Sequence, residues 1–206
     1  MIRFLTNWLK LLGNFIVNIF SRNHSKSIIP ENFNENELII RGIYSPIFYS
    51  ARTGRLREGA FMPPPSKRDV SVLRKNYTND NFCKNHCIKV KIQKNNYCGL
   101  ASFLTRHIAE IAKEYQMENL VFLKFTPLDE NYGLIQSRPI LITTPGIPMH
   151  ADIYYNGEFE NGKPQTQFRQ FAKKLANEIS NYFDDPFPDV QNWNGPILTW
   201  QPKVAI

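Results

Sequence analysis

One cysteine and one histidine occupy positions typical of a catalytic pair. Cys98 stands at the start of a segment predicted to be helical, and His150 opens a predicted strand. A thiol at a helix N-terminus faces the positive end of the helix dipole, which favours the thiolate. Asp152 lies two residues after His150, so on a strand the two side chains share a face. The sequence therefore predicts Cys98 as nucleophile, His150 as base and Asp152 as orienting carboxylate, with Asn156 and Asn161 as alternative orienting groups.

This order of elements resembles papain-like thiol hydrolases of the NlpC/P60 type. In that family a cysteine opens a helix and a histidine begins a later strand of the sheet. The similarity covers only two short stretches, and Gly99 follows Cys98 where the family typically has Ser-Gly. The resemblance implies a cysteine hydrolase that uses Cys98 and His150. The competing interpretation is that Cys98 is a small buried residue and His150 a hydrogen-bonded strand residue.

A second group of residues consists of types that commonly bind metal ions. Cys83, His86, Cys87 and Cys98 follow the spacing C-x2-H-C-x10-C. Zinc prefers four such ligands in a tetrahedron, but the adjacent His86 and Cys87 cannot easily both ligate one ion. No phosphate-binding loop and no dinucleotide fingerprint is present. We therefore expect neither a metal nor another cofactor.

A basic, aromatic-rich stretch is the third candidate for chemistry. Its cations are Arg41, Arg52, Arg55, Arg57, Lys67, Arg68, Arg74 and Lys75. Arginine binds phosphate and aromatic rings stack on bases, so this stretch could contact an anion or a nucleic acid. No nucleic-acid-binding motif accompanies it. A solvated basic face is the plainer interpretation, and nucleic-acid binding remains an alternative.

Several short elements together resemble a group of small bacterial proteins with an R…aF…SVxR…HAxI layout. The matching residues are Arg41, Gly54-Arg55-Leu56, Ala60-Phe61, Val70–Arg74 and His150–Ile153, followed by Phe171–Ala176 in a closing helix. The resemblance spans about residues 41–180 and implies an architecture without an activity. It also implies that Arg41, Ser71, Arg74 and His150 converge on one ligand-binding site.

The first twenty residues predict a sided helix. A polar stripe of Arg3, Asn7, Lys10, Asn14 and Asn18 faces away from Met1, Leu5, Trp8, Leu12, Phe15 and Ile19. Such a helix suits a membrane interface, with Trp8, Leu12 and Phe15 inserted and Lys10 near the headgroups. A helix docked on the protein core or on a partner fits nearly as well. A spanning helix is disfavoured because the amides and the lysine would be costly in lipid.

Charge and cysteine usage bear on the compartment. The net charge is +7, but residues 1–27 hold four basic residues and no acid, so the remainder carries 21 basic against 18 acidic residues, about +3. This uneven distribution favours a local anionic partner such as a membrane surface. Three cysteines suit a reducing compartment better than a disulfide framework. We therefore expect a cytoplasmic protein at the inner face of the membrane.

Periodicity predicts the elements that position these residues. Strands are predicted at 37–43, 70–74, 86–94, 120–125, 138–143 and 149–155, and helices at 99–115 and 166–182. Residues 21–35 are predicted to be a linker, and 184–206 an irregular tail containing Trp193 and Trp200. The prediction is an α+β domain over 36–183, with a mixed or antiparallel sheet, two packed helices and a separate N-terminal amphipathic helix.

The leading functional hypothesis follows from these patterns. The sequence favours a membrane-associated bacterial binding or accessory domain that recognises an anionic ligand or partner. The alternatives are a cysteine hydrolase and a nucleic-acid-binding protein.

Overall fold

The computed structural model describes residues 27–50, 52–65, 67–90, 96–157, 166–181 and 198–199. Within these residues the chain forms one large sheet, a short hairpin and three α-helices. The predicted α+β class is therefore confirmed. The amphipathic helix predicted at residues 1–20 lies outside the described residues, as does nearly all of the predicted tail at 184–206.

The large sheet is antiparallel apart from one short strand. The strands are β1 Leu38–Ser45, β2 Tyr49–Ser50, β3 Arg55–Leu56, β4 Asp69–Arg74, β5 Asn96–Leu104, β6 Val121–Phe125, β7 His150–Tyr155 and β8 Leu198–Thr199. Their order in the large sheet is β6-β7-β4-β1-β5-β8, and β8 pairs parallel with β5. Strands β2 and β3 form the separate hairpin. The helices are α1 Asp80–Lys89, α2 Thr105–Glu114 and α3 Thr166–Asn181.

The chain divides into two compact units. The smaller unit includes residues 27–30 and Pro127–Pro148, and the larger includes the described residues of Glu31–Thr126 and Met149–Ile206. In the smaller unit, Ile28 forms an antiparallel bridge with Leu141, and Ile29 is buried. The sheet and the three helices belong to the larger unit. The domain boundaries inferred from the sequence stay predictions.

Helix α3 covers one face of the large sheet. Its Phe168, Phe171, Ala172, Leu175 and Ile179 side chains are buried, as the helical periodicity predicts. The ring of Tyr155 on β7 meets Phe168 and Phe171 edge-on, at centroid distances of 5.2 and 6.0 Å. Burying rings of this size is a major source of apolar stabilisation. The aromatic side of α3 therefore fixes the helix against β7.

Helix α1 packs against β1 and β5 at an unusually close approach. A β-carbon added at Gly42 of β1 would lie only 2.8 Å from Cys87 Sγ, so the helix can rest there because Gly42 has no side chain. The hydroxyl of Tyr44 donates a 2.7 Å hydrogen bond to the carbonyl of Cys87. The glycine and this hydrogen bond together set the position of α1.

The strand predicted at 86–94 is wrong over its described part. Residues Asp80–Lys89 form helix α1, and Asn79 caps it by accepting a 2.9 Å hydrogen bond from the amide of Phe82. The alternating letters of HCIKVKIQK suggested a strand. The stronger signal was the Asn79-Asp80 pair before Cys83 and Cys87, which lie four residues apart on one helical face.

The helix predicted at 99–115 begins too early. Strand β5 runs through Asn96–Leu104, and α2 starts only at Thr105. Both faces of β5 are covered, and a strand buried on both sides is a continuous apolar run that resembles a buried helix in sequence. Helix α2 starts where the amides of Thr105 and Arg106 find acceptors, the carbonyls of Glu37 and Glu35, each at 3.0 Å.

The strand predicted at 138–143 is also wrong, because only one isolated bridge, at Leu141, interrupts an irregular segment. Pro139 lacks the amide that a strand ladder requires. Strands close to the predicted positions occur at β1, β4, β6 and β7.

None of the helices within the described residues has both the length and the apolar character needed to cross a bilayer.

Candidate functional site

Arg41 fills a gap between two strands of the sheet. Strands β1 and β4 pair only at Ile39 with Arg74 and at Ile40 with Leu73, and they separate beyond that point. The Nε atom of Arg41 donates to the carbonyl of Ala60 at 2.9 Å, and its Nη1 atom donates to the carbonyl of Ser71 at 2.7 Å. The guanidinium therefore replaces ladder hydrogen bonds. Its first role is to hold the sheet together.

Arg74 is enclosed in a cluster of its own, which we term the Arg74 cluster. Its side chain is fully buried and binds Glu37 through two contacts, Nε to Oε1 at 2.5 Å and Nη2 to Oε2 at 2.8 Å. The Nη2 atom also donates to the carbonyl of Asn32 at 3.1 Å. Three rings complete the cluster at 4.3, 4.8 and 5.0 Å from the guanidinium carbon: Phe33, Tyr77 and Phe125.

His150 and Asp152 are joined through Thr126. The Nδ1 atom of His150 lies 2.8 Å from the carbonyl of Thr126, and a carbonyl only accepts, so Nδ1 carries a proton. The hydroxyl of Thr126 donates to Asp152 Oδ2 at 2.7 Å. One threonine therefore fixes the tautomer of the imidazole and one oxygen of the carboxylate. The predicted orienting partnership of Asp152 with His150 runs mainly through Thr126, a residue that the sequence did not single out.

Two acceptor atoms of this trio face one another. The Nε2 atom of His150 lies 3.9 Å from Asp152 Oδ1, and Oδ1 is buried without a hydrogen-bond partner within the described residues. Burial lowers the pKa of His150, which favours the neutral ring. Both residues are more than nine-tenths buried, with exposures of 5% and 8%. A group so enclosed suits a structural role better than attack on a substrate.

The four residues expected to converge on one site are only partly together. Arg41 contacts the backbone of Ser71, and in the β4–β7 register Ser71 lies opposite Asp152, with His150 two pairs further along. Arg74 stands three residues from Ser71 on the same strand, so the two side chains point to opposite faces. Arg74 also has its own carboxylate partner. A single pocket containing all four side chains is not present in the described structure.

Cys98 does not lie at a helix N-terminus, and this expectation is corrected. It lies within strand β5, fully buried, with its thiol 3.5 Å from the carbonyl of Ile43. The register relates His150 to Leu73, then to Ile40, then to Ser102 on β5. Three strand spacings amount to about 14 Å, and Cys98 lies a further four residues, about 13 Å, along β5. Direct contact between Cys98 and His150 is therefore excluded.

The other two cysteines line the buried side of α1. Burial raises the pKa of Cys83 to about 11 and that of Cys87 to about 12, so both remain protonated at neutral pH. All three cysteines lie in the described residues, and none forms a disulfide. Within this part of the chain, no three His, Cys, Asp or Glu side chains are arranged to hold a metal ion.

The remaining cations of the basic stretch lie at the surface. Arg52, Arg57, Lys67 and Arg68 are exposed, whereas Lys75 forms a 2.8 Å ion pair with Asp80. The residues predicted to enter a membrane, Trp8, Lys10, Leu12 and Phe15, lie outside the described residues. The membrane hypothesis for these positions therefore stays a prediction.

A groove that sequence reasoning missed runs between α2 and strand β6. Its volume is about 610 Å³, and we term it the α2–β6 groove. Its floor includes the buried side chains of Ile108 and Val121, and Leu123 is partly exposed beside them. The other lining residues are Phe33, Glu35, Thr105, Arg106, Ala109, Glu110, Ala112, Glu118 and Phe122. No sequence signal pointed here, since VFLKF indicated an ordinary buried strand.

Strand β6 forms one edge of the sheet, within the residues that are described. The amide of Asn156 donates to Leu120 and that of Thr126 to His150, so the residues at even positions of β6 bond to β7. In an antiparallel ladder the intervening residues point their backbone groups outward. Leu123 therefore directs its amide and carbonyl away from β7, along the side of the groove.

Comparisons with protein-family models, with curated proteins and with solved structures gave no match.

Proposed function

We propose that the chain is an accessory binding module that docks a partner protein in the α2–β6 groove and is held at a membrane surface by residues 1–20. The observation that carries the proposal is the groove itself, an apolar trough of about 610 Å³ open to solvent beside a sheet edge. Apolar clefts of this kind, bordered by polar residues, are typical of interaction sites.

The contacts of Arg41 and Arg74 favour the groove as the binding site over an anion pocket formed by these two arginines. Arg41 donates to two backbone carbonyls, and Arg74 binds Glu37 inside the Arg74 cluster. The Arg74 side chain is fully buried, and Arg41 is only partly exposed. The hydrolase hypothesis is not retained, because Cys98 and His150 lie apart on the sheet.

Photo-crosslinking tests the partner-docking part of the proposal. Ala109 lines the groove and is exposed, so a benzophenone side chain placed there would react with an occupant. Lys173, exposed on α3 outside the groove lining, provides the matched control position. In the cells that produce the protein, we expect a discrete adduct from position 109 and none from position 173. Identical adducts at both positions, or none at 109, would contradict docking in the groove.

The membrane part of the proposal is tested separately. Residues 1–20 carry an apolar face with Trp8, Leu12 and Phe15 and a basic residue, Lys10, on the polar stripe. We expect the full chain to float with vesicles that contain anionic lipid, and to float less as salt rises. A chain lacking residues 1–20 should stay in the dense fraction. Equal flotation of both chains would remove this part of the proposal and leave the groove unaffected.

A further inference from the structure

We infer that the occupant of the α2–β6 groove is an extended, basic segment of a partner protein, which adds to the large sheet as a new strand beside β6. This inference rests on the proposed docking function and specifies its chemistry. It depends on the backbone of β6, on the side chains beneath the groove and on the charge of its rim.

The backbone of β6 supplies the first support. Leu123 directs one donor and one acceptor away from β7, whereas the amide of Val121 is already bonded to Met117 at 2.9 Å. An exposed pair of backbone groups between a helix and an edge strand is the arrangement used when a peptide extends a sheet. Hydrogen bonds at Leu123 would therefore set the register of the added strand.

The side chains of the groove determine the pattern of the occupant. Val121 and Leu123 share the face of β6 that looks toward α2, and Ile108 of α2 lies beneath them. A strand added alongside β6 would point every second side chain to this floor. We therefore expect apolar residues at alternate positions. Strand β6 has five residues and spans about 17 Å, which sets the bound length at five or six residues.

The rim of the groove determines the charge of the occupant. Glu35, Glu110 and Glu118 line it, all three are exposed, and no described residue forms an ion pair with them. The one cation in the lining, Arg106, donates to Asn36 at 3.0 Å. A net acidic rim on a chain whose total charge is +7 is a local departure from the rest of the sequence. Charge complementarity therefore favours lysine or arginine at the outward positions of the segment.

The probe is a fluorescein-labelled heptapeptide of alternating lysine and valine, measured by fluorescence anisotropy against the full chain. Three comparison peptides share its length: one with glutamate in place of lysine, and two with N-methyl groups on alternate backbone amides, one for each of the two registers. We expect the glutamate peptide, and the N-methylated peptide whose methyl groups face β6, each to bind at least tenfold more weakly. Equal affinity of the glutamate peptide overturns the charge assignment. Equal affinity of both N-methylated registers overturns strand addition.

Variants of the protein locate the site. Glu110→Lys should weaken the lysine–valine peptide at least fivefold, whereas Glu130→Lys, the same charge change on an exposed residue outside the groove, should leave its affinity within twofold. Leu123→Pro removes the outward amide and should abolish binding. Because that variant could fail to fold, its circular dichroism is compared first, and the N-methylated peptide tests the same hydrogen bonds on the unaltered protein.

Two further outcomes overturn the inference. A chain that sediments as a dimer, and becomes monomeric on Ala109→Tyr, would identify a second copy as the occupant. If the lysine–valine peptide does not bind but position 109 gives a discrete crosslink, the docking function stands and the inference that the occupant is a basic extended segment is wrong. If the peptide binds but no crosslink forms in cells, the groove does bind basic extended segments, and the claim that a cellular partner occupies it is wrong.

Discussion

The Arg74 cluster and the α2–β6 groove are neighbouring regions of the larger unit with opposite organisation. In the cluster, a guanidinium is enclosed by a carboxylate and three rings, and Arg74 has no exposed surface. In the groove, the lining residues Ala109 and Phe122 are exposed, and the edge of β6 directs backbone groups outward. Glu37 connects the regions, because its side chain binds Arg74 and its carbonyl accepts the amide of Thr105 at the start of α2.

This contrast shows why conspicuous residues were poor guides to the surface of the molecule. A buried charge is stable only if its partners surround it, so a well-paired arginine has little capacity left for a ligand. Ordinary residues such as Ala109 and Leu123 form the accessible site because α2 and β6 leave space between them. We expect substitutions in the Arg74 cluster to change stability and substitutions in the α2–β6 groove to change recognition.

The largest expected effect comes from breaking the buried ion pair. Glu37→Leu leaves the Arg74 guanidinium buried without its carboxylate, which should lower the free energy of unfolding by about 3–5 kcal/mol. Urea denaturation followed by circular dichroism measures this change. The double variant Glu37→Leu with Arg74→Met removes both charges, and we expect it to recover most of the loss. A double variant as unstable as the single one would show that the charges are not coupled.

A smaller effect should appear in acid at the start of α2. Burial lowers the pKa of His107 to about 4, and its Nδ1 atom accepts a 3.1 Å hydrogen bond from the amide of Leu104. The unfolded chain, with a pKa near 6.5, therefore takes up the proton first as the pH falls. This contribution to stability is fully present above pH 6.5 and is lost toward pH 4, up to about 3 kcal/mol.

The His107→Gln variant isolates this contribution from that of His150. Glutamine keeps an acceptor but does not titrate in this range, so the stability of the variant should fall less steeply between pH 6.5 and 4. The measurement is urea denaturation of both proteins across that window. Parallel curves would mean that protonation of His107 does not weaken the start of α2.

The smallest effect on stability should accompany a clear effect on recognition. Ala109→Tyr places a large ring in the groove from an exposed position, so the free energy of unfolding should change by no more than about 0.5 kcal/mol. Binding of the lysine–valine peptide should fall at least tenfold. Lys173→Tyr on α3 is the matched control and should alter neither quantity. A large loss of stability at position 109 would assign that surface to the core.

The sequence predicted the elements whose periodicity is regular. The buried side of α3 follows from Phe168, Phe171 and Leu175, and strand β7 follows from alternation after His150. It does not predict β5, where burial on both faces removes the alternation that distinguishes a strand, or α1, where the alternation after His86 competes with the Asn79 cap. Local patterns cannot show which faces will be covered by distant elements.

The candidate site was less accessible to prediction for a related reason. The spacing predicts that His150 and Asp152 share one face of a strand, but Thr126, which follows β6, reaches them only through long-range strand pairing. The separation of Cys98 from His150 depends on the order of four strands, β7, β4, β1 and β5, which residue spacing does not encode. The groove is a property of the space between two elements. No single segment of the chain carries its signature.

One hydrogen atom, the second on the α-carbon of Gly42, has a wide influence on the architecture. A methyl group in its place would lie 2.8 Å from the Cys87 sulfur, so either the Cys87 thiol would have to turn or the helix would have to lift away. Lifting would stretch the 2.7 Å hydrogen bond from Tyr44 to the Cys87 carbonyl. The absence of a side chain at Gly42 thus sets the distance between α1 and the sheet, and adding even one methyl group there would disturb the hydrogen bond made by Tyr44, two residues away.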